Sequence, residues 1–297
     1  LMEVIKLMSL LHIILNQRMI NNSKVGIMQG RLLPKYNGRY QAHPIGYWQN
    51  EFSIAAKYNL VCIEFIFDFE FYEKNPLMHS TGIDEIKRNI ENYEVDVKSV
   101  CADYFMEKSF HHLDYNSVND SKKVISRLIK NCSKLNIENI IIPCVDKSSL
   151  NDENDIERFI YNIDSIINVA EKYDINLCLE TDLNPKVFSQ LLHSLPSSKI
   201  KVNYDTGNSA SLGYNVSEEF DSYGDKITDI HIKDRRLNGG SVILGDGDVD
   251  FKSFFQALKK INYKNLIIMQ AFRDDQGIEV FEKQLNFFNN LHNKYMN

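Results

Sequence analysis

The 297-residue sequence has no surplus of positive charge. Lysine and arginine number 34 against 40 aspartate and glutamate residues, which gives a formal net charge of −6. Because nucleic-acid surfaces are basic, this balance argues against a nucleic-acid partner. It does not exclude a phosphorylated substrate, since one arginine or lysine in a pocket can bind a phosphate whatever the total charge. The composition, with 43% hydrophobic and 25% charged residues, is typical of a globular protein.

Cysteine is scarce, and its spacing indicates neither a redox motif nor a zinc motif. No CxxC pair occurs, and the five residues are an odd number: Cys62, Cys101, Cys132, Cys144 and Cys178. Most of them lie in or beside apolar runs, where a reduced cysteine acts as a small hydrophobic side chain. We therefore expect free thiols and a reducing compartment, the cytoplasm.

The sequence also has no apolar run that is long enough to span a membrane. The run at residues 7–15 is too short for a bilayer, only Lys6 precedes it, and no small-residue cleavage site follows it. Met19 stands just before the first clear strand pattern. We interpret residues 1–23 as an N-terminal extension outside the fold, with residues 1–18 an upstream over-translation or a poorly ordered segment rather than a targeting signal. No membrane partner is expected.

From Val25 onward, short apolar runs alternate with longer helical patterns. Strands are predicted at 25–29, 61–65, 95–102, 140–142, 175–180, 200–205, 227–232 and 266–270. Helices are predicted at 45–58, 83–93, 117–135 and 155–173, from Asn184-Pro185 onward, and at 216–223, 251–261 and 277–291. The fourth strand is expected to stop at Pro143, because proline has no N–H for a strand ladder.

Eight strand–helix units without a long linker predict an α/β fold, a single (β/α)₈ TIM barrel over residues 24–297. Apolar strands separated by helices require a parallel sheet that is covered on both faces. No low-complexity stretch or Pro/Gly/Ser-rich boundary divides the chain. A doubly wound open sheet is the alternative, but no GxGxxG follows the first strand to support it.

Polar side chains stand where the predicted strands end. The first strand ends in Gln29-Gly30-Arg31, and later strands end at Glu64, Asp103, Glu180, Asp205, His231 and Gln270. A single carboxylate after a strand is usually a helix cap, and a single histidine is usually structural. In a barrel, however, the C-terminal strand ends converge on one rim, which is where active sites lie. We therefore expect these residues to meet.

Glu180, Asp205 and His231 come from successive strands and are suitable ligands for a divalent metal ion, Mn²⁺, Mg²⁺, Co²⁺ or Zn²⁺. The amide oxygen of Gln270 can complete the set. A metal that holds the oxygens of a hydroxy-ketone stabilises the enediolate that forms when a proton leaves the carbon next to the carbonyl. Glu180 is the candidate base. Lys233 is a candidate catalytic residue that polarises the carbonyl.

The remaining polar residues at or near the strand ends are candidates for substrate binding: Gln29, Arg31, Glu64, Asp103, Arg235 and Arg273. Arg31, Arg235 and Arg273, together with Lys35, are the cations that can meet a phosphate group. The sequence does not rank them.

Several segments together resemble a known family. They are GIMQGRL at 26–32, IEF at 63–65, LCLE at 177–180, NYDTGN at 203–208, DIHIKDR at 229–235 and LGDGDVDF at 244–251. In this order they resemble the xylose isomerase-like TIM-barrel superfamily of sugar phosphate isomerases and epimerases. The HxKD segment followed by the glycine-flanked acidic loop is the most specific part. The resemblance runs from Val25 to the C terminus and implies a barrel, a divalent metal, a carbohydrate substrate and a homo-oligomer.

The resemblance also implies roles for particular residues. The family holds its metal with Glu, Asp, His and Glu from strands five to eight, and here the first three match Glu180, Asp205 and His231. The fourth is Gln270, which cannot take a proton, whereas ketose epimerases of this type use two glutamates as opposed acid and base. Asn208 stands where the family often has a substrate-binding histidine. Apurinic endonuclease relatives need more metal-binding histidines than these strand ends offer, which argues against DNA repair.

Three functions remain open. The first is a metal-dependent isomerase or epimerase of a small sugar or sugar phosphate, which acts through an enediolate. The second is a metal-dependent dehydratase of a keto-polyol, a lyase that needs one base and is therefore favoured by Gln270. The third is a sugar-binding barrel without turnover, which Gln270 and Asn208 together favour.

Overall fold

The computed structural model describes residues 24–296, and the predicted extension at residues 1–23 lies outside them. Its strands are β1 (Lys24–Met28), β2 (Ile63–Ile66), β3 (Ser99–Cys101), β4 (Asn139–Cys144), β5 (Asn176–Thr181), β6 (Ile200–Asp205), β7 (Ile227–Ile232), β8 (Asp234–Arg235), β9 (Ser241–Val242) and β10 (Leu266–Met269). Eight of them form a closed parallel barrel in the order β1-β10-β7-β6-β5-β4-β3-β2. Strands β8 and β9 form an antiparallel hairpin. The predicted barrel is confirmed.

Helices connect the barrel strands. They are α1 (Asn50–Lys57), α2 (Ser80–Tyr93), α3 (Tyr104–Glu107), α4 (Tyr115–Cys132), α5 (Glu153–Tyr173), α6 (Pro185–His193), α7 (Thr206–Leu212), α8 (Val216–Tyr223), α9 (Phe251–Lys260) and α10 (Ile278–Met296). Helix α5 shows how they form: Asp152 caps its first turn, and Phe159, Ile163 and Ile166 place one apolar face against the barrel. Within residues 24–296, no helix has the length and apolar character that crossing a membrane requires.

The buried apolar residues lie on both faces of the barrel sheet. Cys62 and Ile66 flank Glu64 at two-residue spacing, so the three side chains point to the same side of β2. Because Glu64 reaches His231 on β7, that side is the barrel interior. Phe65 points the other way, into the larger core between the strands and the helices.

All five cysteines are buried and free, as predicted. Burial raises the pKa of each thiol above its ordinary value. The thiols therefore stay protonated near neutral pH and act as small apolar side chains. The reducing compartment remains a prediction.

The prediction that β4 stops at Pro143 is wrong, because the strand continues through Pro143 to Cys144. The carbonyl of Ile141 accepts a hydrogen bond from the backbone N–H of Ala102, and Ile141 is the last residue of β4 that pairs with β3. Pro143 lies two residues further, so its backbone faces in the same direction as that of Ile141, but β3 has already ended there. Its missing N–H therefore costs no ladder hydrogen bond, while pairing with β5 continues.

Among the α-helices and strands, three elements were not predicted: the short helices α3 and α7 and the hairpin β8–β9. Each follows the C-terminal end of a barrel strand. Helix α7 begins directly after Asp205, and the hairpin begins two residues after β7 ends. Their sequences are too short to show a hydrophobic period. These elements nevertheless hold residues of the site.

Candidate active site

Four predicted ligands meet at the C-terminal rim of the barrel. Glu180 is the penultimate residue of β5, Asp205 ends β6, His231 is the penultimate residue of β7, and Gln270 follows β10. Asp205 and His231 are paired in register across β6 and β7. One atom each from Glu180, Asp205 and His231 lies within 4.8 Å of the others. The structure thus brings together three residues that are far apart in sequence.

Glu180 is buried, and both of its carboxylate oxygens accept hydrogen bonds from asparagine amides. Asn203 Nδ2 donates to Oε2 over 2.8 Å, and Asn208 Nδ2 donates to Oε1 over 2.7 Å. Burial, followed by the negative charge of Asp205, raises the pKa of Glu180 to about 7. A carboxyl group with a pKa near neutrality can take up and return a proton at physiological pH, as a general base must.

Asp205 uses its two oxygens differently. Its Oδ1 accepts a hydrogen bond from the backbone N–H of Asn208 over 2.8 Å and so caps helix α7. Its Oδ2 is buried and lies 2.7 Å from Lys233 Nζ, whose side chain is 12% exposed. The helix therefore fixes the carboxylate, and the lysine ammonium balances its charge.

His231 lies between two sets of carboxylates. Its Nδ1 is 3.6 Å from Glu180 Oε2 and 3.9 Å from Asp205 Oδ2, while its Nε2 is 2.8 Å from Glu64 Oε1. Burial lowers the pKa of His231, but the charges of Glu64, Glu180 and Asp205 outweigh burial and raise it to about 9. A metal ion bound at Nδ1 would displace the proton from that nitrogen and leave the other proton on Nε2, beside Glu64.

Glu64 is held firmly inside the barrel. Ser99 Oγ donates a hydrogen bond to Glu64 Oε2 over 2.6 Å. Asp229 is close by and accepts a hydrogen bond from Asn139 Nδ2 over 3.0 Å, and burial together with the charge of Glu64 raises its pKa well above the ordinary value. Glu64, Asp229 and His231 are each 0% exposed. This second acidic cluster lies outside the cavity wall and supports His231 from its Nε2 side, and its atoms are also close enough together to hold a cation.

The donor set fits a divalent cation. Within the described chain, Gln270 Oε1 is buried without a hydrogen-bond partner. Ligands about 2.1 Å from a tetrahedral metal lie ~3.4 Å apart. The separations of 3.6 and 3.9 Å around His231 Nδ1 are close to that value. Glu180 and Asp205 supply carboxylates, so the oxygen and nitrogen donors suit Mn²⁺ or Zn²⁺.

A cavity of about 260 Å³ opens at this rim. Glu180, Gln270 and Lys233 lie in its wall, so the candidate base and ligands face the space that a substrate would enter. In the wall of this cavity, side chains that donate or accept hydrogen bonds outnumber apolar side chains. Such a wall can pair with the hydroxyl groups of a carbohydrate. The volume suits a ligand of about one sugar ring.

Some of the predicted substrate-binding residues line this cavity: Arg31, Asp103, Asn208 and Arg235. They form two hydrogen-bonded groups. Arg235 Nη1 donates to Asn208 Oδ1 over 2.8 Å. Gln41, which the sequence did not single out, accepts from Arg31 Nη2 over 3.0 Å and donates to Asp103 Oδ2 over 2.7 Å. These contacts fix the polar groups that face a ligand.

Gln29, Glu64 and Arg273 lie outside the cavity wall, in supporting positions. Gln29 Oε1 lies 2.8 Å from His43 Nδ1, and burial lowers the pKa of His43 to about 3, so the ring is neutral and can donate. Arg273 donates from Nη1 and Nη2 to two carbonyls in residues 30–33, each over 2.7 Å. Gln29 and Arg273 lie at the loop after β1, whereas Glu64 supports His231, and a direct substrate contact by any of the three remains a prediction.

Lys35, which was proposed as a phosphate contact, is paired with a carboxylate instead, since its Nζ lies 2.8 Å from Asp275 Oδ1.

Glu51, which the sequence did not single out, supports the loop after β1. Its carboxylate accepts hydrogen bonds from the backbone N–H groups of Gly30 and Leu32 over 2.7 and 3.0 Å. Burial raises the pKa of Glu51 to about 7. Its sequence signal is a glutamate on the buried face of α1.

Asn203 was also missed. It lies two residues before Asp205 in β6, so both side chains point into the barrel. Asn203 Nδ2 contacts Glu180 and lies 3.0 Å from His231 Nδ1. Its two-residue spacing from Asp205, on the same face of β6, is the signal that could have identified it.

Asp234 explains why the HxKD segment and the acidic loop occur together. Its Oδ2 accepts hydrogen bonds from the N–H groups of Gly245 and Gly247 over 2.8 and 3.0 Å, and its Oδ1 accepts from Val249 N–H over 3.2 Å. A Cβ on Gly247 would lie 2.1 Å from Asp234 Oδ1. The loop therefore wraps around Asp234 and supports the hairpin that carries Arg235.

The chain belongs to the xylose isomerase-like TIM barrel family, whose sequence profile matches residues 52–291. The match spans every barrel strand except β1. Family membership agrees with the closed barrel and with the resemblance of the rim segments.

Two relatives carry names of sugar enzymes. A putative L-ribulose-5-phosphate 3-epimerase of Haemophilus influenzae is 24% identical over 245 residues, which cover 76% of this chain and 84% of the relative. An inosose dehydratase of Lacticaseibacillus casei is 28% identical over 114 residues, which cover 32% of this chain and 38% of the relative.

A solved structure shares the fold. The IolI protein with a bound zinc atom superposes with a TM-score of 0.73 at 16% sequence identity, over 92% of this chain and 99% of that one. At this level of identity, the likeness extends to the barrel architecture alone.

Proposed function

We propose that this protein is a divalent-metal-dependent isomerase or epimerase of a small sugar, which removes a proton next to a carbonyl. The observation that carries the proposal is geometric: Glu180 lines the cavity, and one atom each of Glu180, Asp205 and His231 lies within 4.8 Å of the others. The epimerase relative and the zinc-bound barrel support it.

The metal, when bound, supplies a Lewis acid that stabilises negative charge on the substrate oxygens. Glu180, Asp205, His231 and Gln270 would hold it. Glu180 is also the base, and its two asparagine hydrogen bonds orient the carboxylate while the substrate proton moves to one of its oxygens. Lys233 lies in the wall and donates toward a carbonyl or enediolate oxygen.

Because Gln270 cannot take up a proton, epimerisation requires that another residue act as the second acid. Glu64 cannot serve, because it is fully buried beneath His231. Asp103 is the better choice. It follows β3, two strands along the barrel from the strand that carries Glu180, and lines the same cavity. Burial raises the pKa of Asp103 above its ordinary value, so it can return a proton to the substrate.

A dehydratase of a keto-polyol is the second candidate function. Its favouring observation is Gln270, because elimination needs one base and a group that assists the departure of hydroxide. The inosose dehydratase relative supports it over a shorter stretch of sequence. Lys233 can donate the proton that the departing hydroxide requires.

The experiment is to incubate the protein and Mn²⁺ in D₂O with a panel of ketoses and keto-polyols. Deuterium next to the carbonyl together with a new isomer supports the isomerase. Absorbance from an enone without an isomer supports the dehydratase. If the sugars bind but neither signal appears, the barrel binds sugar without turnover, and both enzyme proposals are wrong. Glu180→Gln is the inactive comparison.

A further inference from the structure

A second space continues the active-site cavity on the other side of the rim. This outer groove has a volume of about 500 Å³ and shares Asp103, Met106 and Asp146 with the cavity. Its walls are the loops after β1, β2, β3 and β4, which we call the open half of the rim. The candidate ligands lie at the ends of β5, β6 and β7 and directly after β10, and we call this part of the rim the metal half. The outer groove therefore adjoins the space in which a substrate that reacts at Glu180 would lie.

Ion pairs between loops hold the walls of the outer groove. Arg39 Nη1 lies 2.8 Å from Asp68 Oδ2 and 3.2 Å from Glu70 Oε2, which ties the loop after β1 to the loop after β2. Lys147 Nζ lies 2.6 Å from Glu107 Oε1, which ties the loop after β4 to helix α3. Both cations in the groove wall are therefore already paired with carboxylates.

The charge of the outer groove opposes a phosphate. Its wall has more carboxylates than cations, namely Asp68, Glu70, Asp103, Glu107 and Asp146 against Arg39 and Lys147. A phosphate group carries roughly −1.5 to −2 charges and needs cations that are free to pair with it. In the inner cavity, Lys233 pairs with Asp205, whereas Arg31 and Arg235 donate to uncharged acceptors. Phosphate recognition is therefore disfavoured in the outer groove, where the far end of the substrate would lie.

The same groove suits an uncharged, hydroxylated group. Phe69 is 41% exposed in its wall and offers apolar ring surface of the kind on which a sugar ring packs. Carboxylates that accept hydrogen bonds from hydroxyl groups surround it. We propose that the outer groove binds a second neutral sugar, so that the substrate is an unphosphorylated glycoside with its reacting unit in the inner cavity. This inference rests on the proposed function.

Calorimetric titration of the Mn²⁺-loaded protein tests the proposal with D-fructose, D-fructose 6-phosphate and two neutral disaccharides that end in a ketose, lactulose and isomaltulose. We expect at least one disaccharide to bind about fivefold or more tightly than fructose, and the phosphate ester to bind no more tightly than fructose. Phe69→Ala should remove the disaccharide advantage and leave fructose unchanged. Phe71→Ala is the matched control, because Phe71 is 43% exposed but lies outside the groove wall.

Equal affinity for fructose and both disaccharides would overturn the second-sugar site, as would an unchanged advantage in Phe69→Ala. Tighter binding of the phosphate ester would overturn the charge argument. Deuterium exchange into fructose without any disaccharide preference would leave the proposed function standing and remove only this inference. Absence of both binding and exchange for every sugar would remove the two together.

Discussion

The two halves of the rim are built from different kinds of contact. In the metal half, the side chains of Asp205 and His231 are 1% and 0% exposed, and their partners are other buried polar groups. In the open half, Arg39 and Lys147 are 33% and 70% exposed, and they form ion pairs between loops. Buried groups hold a fixed geometry and shifted pKa values, which proton transfer requires. Exposed pairs are weaker and suit contact with the part of a ligand that does not react.

The largest expected effect is in the metal half. Replacing Glu180 with glutamine removes the proposed base, so the rate of deuterium exchange next to the substrate carbonyl should fall about 10²- to 10⁴-fold. The rate is measured by NMR in D₂O with Mn²⁺ present. Glu157→Gln, an exposed change on α5, is the control and should leave the rate unchanged. A loss of less than tenfold in Glu180→Gln would assign the base to another residue, and Asp103→Asn would then be the variant to measure.

The sequence predicted the metal half better than the open half. Strand ends converge in any barrel, so Glu180, Asp205 and His231 could be placed together once eight strands were recognised. Asn203 was missed because β6 alternates apolar and polar residues, and the role of one polar side chain among them is visible only when its neighbours across the barrel are known. The roles of Glu64 and Asp229 depend on the same cross-barrel contacts.

The open half could not be predicted because its loops have no repeating pattern. Arg39, Phe69 and Lys147 are distant in sequence, and ordinary loop composition surrounds each of them. Their association depends on loop conformations that tertiary contacts determine. The role of Glu51 could not be predicted for a related reason. Its partners are backbone N–H groups, and the sequence does not show which backbone groups a side chain will reach.

The open half has one strongly buried support, and pH can reveal it. Because burial raises the pKa of Glu51 from its usual 4.5 to about 7, the folded state favours the protonated carboxyl. The stability from this group is therefore fully present below pH 4.5 and is lost as the pH rises through 7. Relative to Glu51→Gln, the free energy of unfolding of the unmodified protein should fall by about 3 kcal/mol between pH 4.5 and 8. Urea unfolding at several pH values measures it, and parallel pH curves for the two proteins would contradict it.

The metal half should also depend on Glu64, which touches the imidazole and not the cavity. Glu64→Gln weakens the acceptor beside His231 Nε2, so affinity for Mn²⁺ or Zn²⁺ should fall about 10- to 100-fold. Competition with a chromophoric chelator measures this affinity without any substrate. Glu70→Gln, in the open half, is the control and should leave it unchanged. Equal metal affinity in Glu64→Gln and the unmodified protein would show that Glu64 does not position His231.

Two glycines near the hairpin, Gly247 and Gly240, differ in how closely their surroundings are packed. An alanine Cβ at position 247 would meet Asp234 Oδ1 at 2.1 Å, whereas one at position 240 meets no atom within 4 Å. Gly247→Ala should therefore lower the free energy of unfolding by about 1–3 kcal/mol. Gly240→Ala should change it by less than about 0.5 kcal/mol. Urea unfolding compares them, and similar values for the two variants would show that the loop around Asp234 yields easily.

The smallest effect is expected for the exposed pair between Lys147 and Glu107 in the open half. Their charged atoms are 2.6 Å apart, but the side chains are 70% and 44% exposed, so water and salt screen the attraction. A double-mutant cycle with Lys147→Ala and Glu107→Ala should give a coupling free energy of about 0.2–1 kcal/mol, and added salt should reduce it. The unfolding free energies of the four proteins provide this value at low and high ionic strength. A coupling free energy well above 1 kcal/mol that resists salt would mean that the wall of the outer groove is held as rigidly as the metal half. The two halves of the rim would then differ in charge alone.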